Sequence, residues 1–221
     1  GSEYCFFHDP SRAHERDDAV RGFVITGYGT RAFCAGGDIG RFPSMLGDAD
    51  ASAQYARDCS RLLVHLDAMT KPVVAALNGM ALGGGFELAI RCRAIVAMRD
   101  AWMQFPEITL GILPGIGAMV VPYRRWPGAA TVFHGMLRQA EKLTAARAHE
   151  LGIVAALAGD PRELVTVAVR QVRSLAGLPG NLARGPVALP ELKRIAPTTA
   201  NGMALSATAI ISFFAAIRAS I

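Results

Sequence analysis

The sequence predicts an α/β fold, because strand-length apolar runs alternate along the chain with segments of helical periodicity. Residues 71–77, KPVVAAL, form a continuous apolar run that is typical of a strand buried on both faces. Residues 50–69 place apolar side chains at helical spacing, which predicts an amphipathic helix. The apolar face of this helix comprises Leu62, Leu63, Leu66 and Met69. With 221 residues, of which 52% are apolar and 19% charged, the chain can bury one large core.

The other elements continue this alternation and then give way to a helical second half. Residues 21–29, RGFVITGYG, predict a short buried strand that ends in a glycine turn. Residues 87–93 are predicted to be helical, and residues 93–98 are predicted to form another strand. Helical patterns dominate after Pro114, and Gly152 stands where a helix C-terminal glycine belongs.

The chain is expected to divide into a core, residues 1–180, and a C-terminal helical segment, residues 181–221. The glycine- and proline-rich stretch at residues 177–186, GLPGNLARGP, marks the boundary. The longest uncharged span, residues 195–217, is interrupted by Pro197 and several polar residues. It therefore predicts a buried helix or a subunit contact and no membrane span.

The charge balance argues against a nucleic-acid partner. The chain has 23 basic and 18 acidic residues, and its single basic-aromatic cluster is YRRW at residues 123–126. A small anionic ligand that carries phosphates would suit this balance as well. The four cysteines, which have no metal-ligand spacing, predict a reduced, cytoplasmic protein without a metal site. They are Cys5, Cys34, Cys59 and Cys92.

Two glycine-rich turns follow apolar strands, FCAGGDI at residues 33–39 and ALGGGFE at residues 81–87. Glycine tolerates positive φ and lets a backbone approach a ligand closely. Two such turns side by side would aim two peptide N–H groups at one point, as a developing oxyanion requires. The alternative is that the glycines serve tight turns and packing alone, and their spacing leaves both interpretations open.

Two carboxylates stand beside these turns. Glu87 directly follows the glycine triplet, and Glu107 lies in QFPEITLGILPG after a proline. If both turns open on one pocket, the two side chains would share a water or a substrate proton, with burial separating their pKa values. The alternatives are favourable helix N-terminal electrostatics for Glu87 and a solvated loop charge for Glu107. The residues alone leave these alternatives open.

A rival motif overlaps the first turn. Residues 27–32, GYGTRA, fit a G-x-G-x-x-A dinucleotide fingerprint, with Asp48 and Asp50 at about the right distance for a ribose. Such a fingerprint opens directly into a helix, whereas a second glycine turn intervenes here. An NAD-binding domain is therefore kept as a remote alternative.

Four motifs occur in order with appropriate gaps: RAFCAGGDI, KPVVAALNGMALGGGFELA, PEITLGILPGIG and LTAARAHELGIV. With them, the chain resembles the crotonase superfamily, also called the enoyl-CoA hydratase/isomerase family, from about residue 21 to about residue 154. The resemblance implies a spiral of ββα repeats with a C-terminal helical segment for lid or oligomer contacts. It also implies an acyl-CoA substrate, no cofactor beyond the coenzyme A of that substrate, and a homotrimer or hexamer.

The resemblance assigns roles to particular residues. The backbone N–H groups of Gly37 and Gly84 would hold the thioester oxygen. Glu87 would activate water for attack on the β-carbon, and Glu107 would deliver a proton to the α-carbon. Further contacts with the substrate are expected from Ala35, Asp38, Ile39 and Phe105.

The presence of both glutamates favours hydration of a 2-enoyl-CoA to a 3-hydroxyacyl-CoA, because isomerases of this family usually keep only the second glutamate. An isomerase, a hydrolase or a ring-opening enzyme of the same fold remains an alternative, as does a non-catalytic scaffold.

The chain also departs from the family pattern in places. The family's N-terminal segment is not recognisable before Asp17, and Gly40 stands where many relatives have a lysine that would contact phosphate. Phe105 is bulkier than usual and is expected to reshape the acyl pocket. The family's usual C-terminal tail is also missing, so the motifs specify the reaction centre more closely than the CoA site or the lid.

Overall fold

The computed structural model describes residues 14–38, 40, 48–180 and 186–193 of the chain. The strands in these residues are β1 Phe23–Thr26, β2 Ala32–Cys34, β3 Val73–Leu77, β4 Met80–Leu82, β5 Ala94–Met98, β6 Trp102–Gln104, β7 Leu143–Thr144 and β8 Ala156–Ala158. The helices described in full are α1 Ala49–Ala68, α2 Gly84–Arg91, α3 Val121–Arg125, α4 Ala130–Gln139, α5 Ala145–Glu150 and α6 Pro161–Leu175. Short 3-10 turns cover Glu107–Leu110 and Pro127–Ala129.

The strands form two four-stranded sheets, and the chain alternates between them. The first sheet has the order β1-β3-β5-β8 and is parallel throughout. The second has the order β2-β4-β6-β7, with only the β6–β7 pair antiparallel. Each early repeat places one strand in each sheet before a helix, as in β1-β2-α1 and β3-β4-α2. The predicted α/β fold built from ββα repeats is therefore confirmed.

The centre of the core is β3, which is buried at every position as its apolar run predicts. Successive side chains of a strand point to opposite faces of the sheet. Val74 and Ala76 accordingly pack in a cluster with apolar residues of α6, while Val73, Ala75 and Leu77 pack in the larger cluster on the other face. The larger cluster includes Phe86, Phe105 and Phe133.

Asn78 links the two sheets at the turn after β3. Its side chain is 6% exposed, and its Oδ1 accepts a 2.9 Å hydrogen bond from the Gly27 N–H. Its Nδ2 donates to the carbonyl oxygens of Gly29 and Ala32 at 2.7 and 3.0 Å. The amide thereby fixes the β1–β2 turn, and so the start of β2, against the start of β4.

Most predicted element boundaries hold, with two corrections. Helix α1 begins after Asp48, whose side chain accepts a hydrogen bond from the Ala51 N–H, and buries Leu63, Leu66 and Met69 as predicted. The strand predicted at residues 21–29 is present as β1 and is followed by a turn, but the prediction that it is buried is wrong, because β1 is an edge strand whose Val24 is 38% exposed.

The second correction concerns α2. The helix predicted at residues 87–93 begins earlier, at Gly84, because the last two glycines of the triplet already adopt helical conformation. It ends at Arg91, two residues before the predicted end. The C-terminal glycine prediction is confirmed at Gly152, which follows α5 with a φ of 71°.

The dinucleotide interpretation of residues 27–32 is wrong. These residues form the turn between β1 and β2 and lead into a strand, so no helix N-terminus is available for a pyrophosphate. Asp48 is engaged as the N-cap of α1.

No helix within the described ranges has both the length and the apolar character needed to cross a bilayer. Residues 195–217, the longest uncharged span, lie outside the described part of the chain, so their predicted role as a buried helix or a subunit contact stays a prediction. Most of the segment 181–221 also lies outside it, and the predicted helical character of this segment stays a prediction.

Candidate active site

The fold brings the two glycine turns together. Strands β2 and β4 are parallel neighbours, so the turns that follow them emerge at the same edge of the sheet. A Cβ built on Gly84 would lie 3.8 Å from the backbone nitrogen of Gly37. Gly36, with a φ of 95°, packs so closely that its Cβ would lie 2.8 Å from the Leu82 carbonyl oxygen. The two backbone segments are therefore in close approach at Gly37 and Gly84.

The second turn also presents the positive end of a helix. Gly83 precedes α2 with a φ of 48°, and its N–H donates to the Gln104 carbonyl at 2.9 Å. Gly84 is the first residue of α2, where an N–H group has no acceptor within the helix. An oxygen that bound beside it would meet the favourable end of the helix dipole.

Glu87 lies in the first turn of α2 and is 2% exposed. Its Oε1 accepts hydrogen bonds from the backbone N–H groups of Ile116 and Ala118, at 3.0 and 2.9 Å. Burial raises the pKa of Glu87, while these two donors and the charge of Arg91 act in the opposite direction. The carboxyl is thus fixed in orientation by donors that favour its charged form.

Glu107 begins the 3-10 turn after Pro106 and is 9% exposed. Burial, and next the charge of Glu87, raise the pKa of Glu107 to about 8. Its Oε2 is buried and has no hydrogen-bond partner among the described residues. The interpretation of Glu107 as a solvated loop charge is therefore wrong, since the side chain is a buried carboxyl whose pKa is raised.

Glu107 and the glycine triplet are in contact. A Cβ on Gly83 would lie 2.7 Å from Oε1 of Glu107, so a side chain at this position would displace the carboxyl. The structure therefore places both predicted glutamates and both predicted backbone donors at one edge of the second sheet.

The structure describes three of the four predicted substrate-contact residues, two at the first glycine turn and one in the core. Ala35 and Asp38 are exposed beside the first turn, and Oδ1 of Asp38 accepts a 3.0 Å hydrogen bond from the Gly40 N–H. Ile39 lies outside the described residues. Phe105 is 1% exposed and packs in the core, with its ring centroid 5.0 Å from that of Phe86. A role for Phe105 in an acyl pocket stays a prediction.

Sequence reasoning missed the loop that holds Glu87, residues 116–118, and its neighbour Arg91. The loop contributes backbone atoms, which leave little trace in residue identity. The available signal is Gly117, whose φ of 147° is one that other residues rarely adopt. No cluster of three or more metal-binding side chains is found within the described ranges.

The chain is similar to known proteins over most of its length. A family model described as enoyl-CoA hydratase/isomerase matches residues 12–188. The chain is 38% identical over 152 residues to a probable enoyl-CoA hydratase of Bacillus subtilis (strain 168), a match that covers 68% of this chain and 57% of that protein. It is 35% identical over 170 residues to a crotonyl-CoA hydratase of Syntrophomonas wolfei, covering 76% and 62%. The chain thus spans less than two thirds of either relative.

The chain is also similar to solved structures of proteins described as enoyl-CoA hydratases. An enoyl-CoA hydratase from Polaromonas sp. JS666 matches with a TM-score of 0.68 and 31% identity, covering 75% of this chain and 63% of that one. An enoyl-CoA hydratase from Thermoplasma volcanium GSS1 matches with a TM-score of 0.62 and 33% identity, covering 77% and 65%.

Proposed function

Because the chain belongs to the enoyl-CoA hydratase/isomerase family, we propose that it hydrates a 2-enoyl-CoA thioester to the 3-hydroxyacyl-CoA. The observation that carries this proposal is the buried pair Glu87 and Glu107 beside the paired glycine turns. The names of the two similar bacterial hydratases support the same chemistry.

The thioester oxygen would accept hydrogen bonds from the backbone N–H groups of Gly37 and Gly84. Attack on the β-carbon moves negative charge onto this oxygen, so donors fixed beforehand stabilise the transition state more than the bound substrate. Loss of one such donor typically raises a barrier by about 2.7–4 kcal/mol. The N-terminus of α2 adds its dipole to the same oxygen.

The two carboxyl groups would then divide the proton transfers. The Glu87 carboxylate takes a proton from water as the water oxygen bonds to the β-carbon. The protonated Glu107 gives its proton to the α-carbon as the enolate collapses, which completes the addition of one water. The raised pKa of Glu107 supports its role as the acid, and the two N–H donors on Glu87 support the role of that carboxylate as the base.

We also propose that coenzyme A enters only as part of the substrate, and that the active assembly is a homotrimer or hexamer located in the cytoplasm. Ala35, Asp38 and Ile39, around the first glycine turn, would contact the substrate. Phe105 would act from the core by shaping the acyl end of the pocket.

The products formed from crotonyl-CoA test the proposed reaction. Hydration predicts a CoA thioester heavier by one water, an isomerase predicts no change in mass, and a hydrolase predicts a free CoA thiol. Formation of the hydrated thioester at the wild-type rate by Glu87→Gln would remove Glu87 from the mechanism. Absence of a hydrated product from the wild-type protein would reject the proposal.

A further inference from the structure

The loop that holds the Glu87 carboxylate is itself held by a side chain. Ile116 and Ala118 donate their backbone N–H groups to Glu87. The carbonyl oxygen of Ile116 accepts a 3.0 Å hydrogen bond from Nη2 of Arg91. A single peptide segment thus connects the carboxylate to a guanidinium.

Arg91 stands where three parts of the fold meet. It lies four residues after Glu87 on α2, so the two side chains share a face of the helix. Its Nη1 forms an ion pair with Asp67, near the C-terminal end of α1. The guanidinium also lies against Gly117, where a Cβ would be 2.9 Å from Nε and Nη2 of Arg91. A side chain at position 117 would therefore displace Arg91.

We propose that Arg91 is a positioning residue, which through Asp67 and the Ile116 carbonyl fixes the two N–H donors that orient the Glu87 carboxylate. Its importance for catalysis rests on the proposed function. A guanidinium suits this task, because its planar fork donates to a carboxylate and a carbonyl together, whereas a lysine ammonium is a point charge on a flexible stem.

The charged groups around Glu87 give the proposal a measurable signature. The positive charge of Arg91 lowers the pKa of Glu87, whereas Glu107 repels a second negative charge. Asp67 interacts with Arg91 and with Arg125 of α3. The 116–118 loop contributes backbone N–H groups only. Loss of Arg91 therefore removes a favourable charge and loosens two donors, and both effects raise the pKa of Glu87.

The test compares wild-type protein with Arg91→Met, which keeps the length of the side chain and removes its charge and donors. We expect kcat for crotonyl-CoA to fall about ten- to a hundredfold, since small misplacements of a catalytic group are costly, while KM changes less than about twofold. We expect the pKa of Glu87 to rise by about one pH unit. That pKa is followed by ¹³C NMR of labelled glutamates and assigned with Glu87→Gln. Arg170→Met on the exposed face of α6 is the matched control and should leave both quantities unchanged.

Two further variants keep the proposal testable if Arg91→Met does not fold. Arg91→Lys should give effects between those of wild type and Arg91→Met, and Asp67→Asn should lower kcat as Arg91→Met does, because it removes a group that holds the guanidinium in place. Unchanged kcat and an unchanged Glu87 pKa in the folded variants would overturn the role of Arg91. The NMR titration needs no substrate. It therefore decides on Arg91 even if the wild-type protein does not hydrate crotonyl-CoA, a result that would reject only the proposed function.

Discussion

Glu87 and Glu107 are the same residue type in one buried site, but the hydrogen-bond partners of their carboxyl groups differ. Glu87 accepts two backbone N–H bonds, whereas Oε2 of Glu107 has no partner among the described residues. Burial raises the pKa of both carboxyls, and two nearby buried carboxyls strongly disfavour double ionisation. The two N–H donors favour the charge on Glu87, which is the difference that the proposed division into a base and an acid requires.

The first prediction concerns the acid. Glu107→Gln keeps the size of the side chain but cannot deliver a proton, so we expect the fold to persist and turnover of crotonyl-CoA to fall about 10²-fold or more. Steady-state kinetics and a thermal unfolding curve measure the two effects. Glu150→Gln, at the exposed end of α5, is the matched control and should behave as wild type. A near-normal rate in Glu107→Gln would remove Glu107 from the mechanism.

The second prediction concerns stability against pH. The pKa of Glu107 is about 8 in the folded protein and near 4.5 in its ordinary state, so between these values the folded chain holds a proton that the unfolded chain has released. The free energy of unfolding should therefore fall as pH rises through this window, by about 1.4 kcal/mol per pH unit from this group, and level off above about pH 8.

Urea unfolding at several pH values, with wild type and Glu107→Gln in parallel, measures this contribution. The stability of wild type relative to the variant should decline up to about pH 8. A difference between the two proteins that stays constant with pH would contradict the raised pKa.

Among the secondary-structure elements, the turn between β4 and α2 has two adjacent glycines with different tasks. Gly83 needs its positive φ and leaves room for Glu107, whereas Gly84 has space for a Cβ, whose nearest neighbours are the Ile116 side chain at 3.6 Å and the Gly37 nitrogen at 3.8 Å. Gly83 provides the backbone conformation that the turn requires. Gly84, which has no side chain, leaves open the space beside the Gly37 N–H group.

The third prediction follows from that difference. Gly84→Ala should fold with near wild-type stability but lose activity, because its methyl group would stand beside the Gly37 N–H. Gly83→Ala should destabilise the protein by about 1 kcal/mol or more, since it combines a strained φ with a clash against the Glu107 carboxyl. Thermal unfolding and crotonyl-CoA turnover of both variants check this. An active, stable Gly84→Ala protein would contradict the position of the oxyanion site.

For the molecule as a whole, the family resemblance implies a trimer or a pair of trimers. We therefore expect light scattering coupled to size exclusion to give a mass three or six times 23.4 kDa. A mass of 23.4 kDa across the concentrations used for activity would contradict the proposed assembly.

The features that depend on local sequence patterns or on the four ordered motifs could be predicted from the sequence. The buried run of β3, the helix α1 and the family membership are confirmed. The pairing of β2 with β4 brings Gly37 towards Gly84 as the motifs imply, although their roles as donors stay predictions. What the sequence could not predict depends on contacts distant along the chain. The exposure of β1 results from its edge position, and the links from Glu87 to the 116–118 loop and on to Arg91 join residues that share no local pattern.

The most direct test of the central claim is the ultraviolet absorbance of the conjugated enoyl thioester when pure protein meets crotonyl-CoA, with Glu87→Gln alongside. The proposed mechanism predicts rapid loss of absorbance with the wild-type protein and a loss slower by about 10²-fold or more with the variant, because its amide cannot take a proton from water. Equal rates in the two proteins, or no loss with wild type, would contradict hydration by this pair of glutamates.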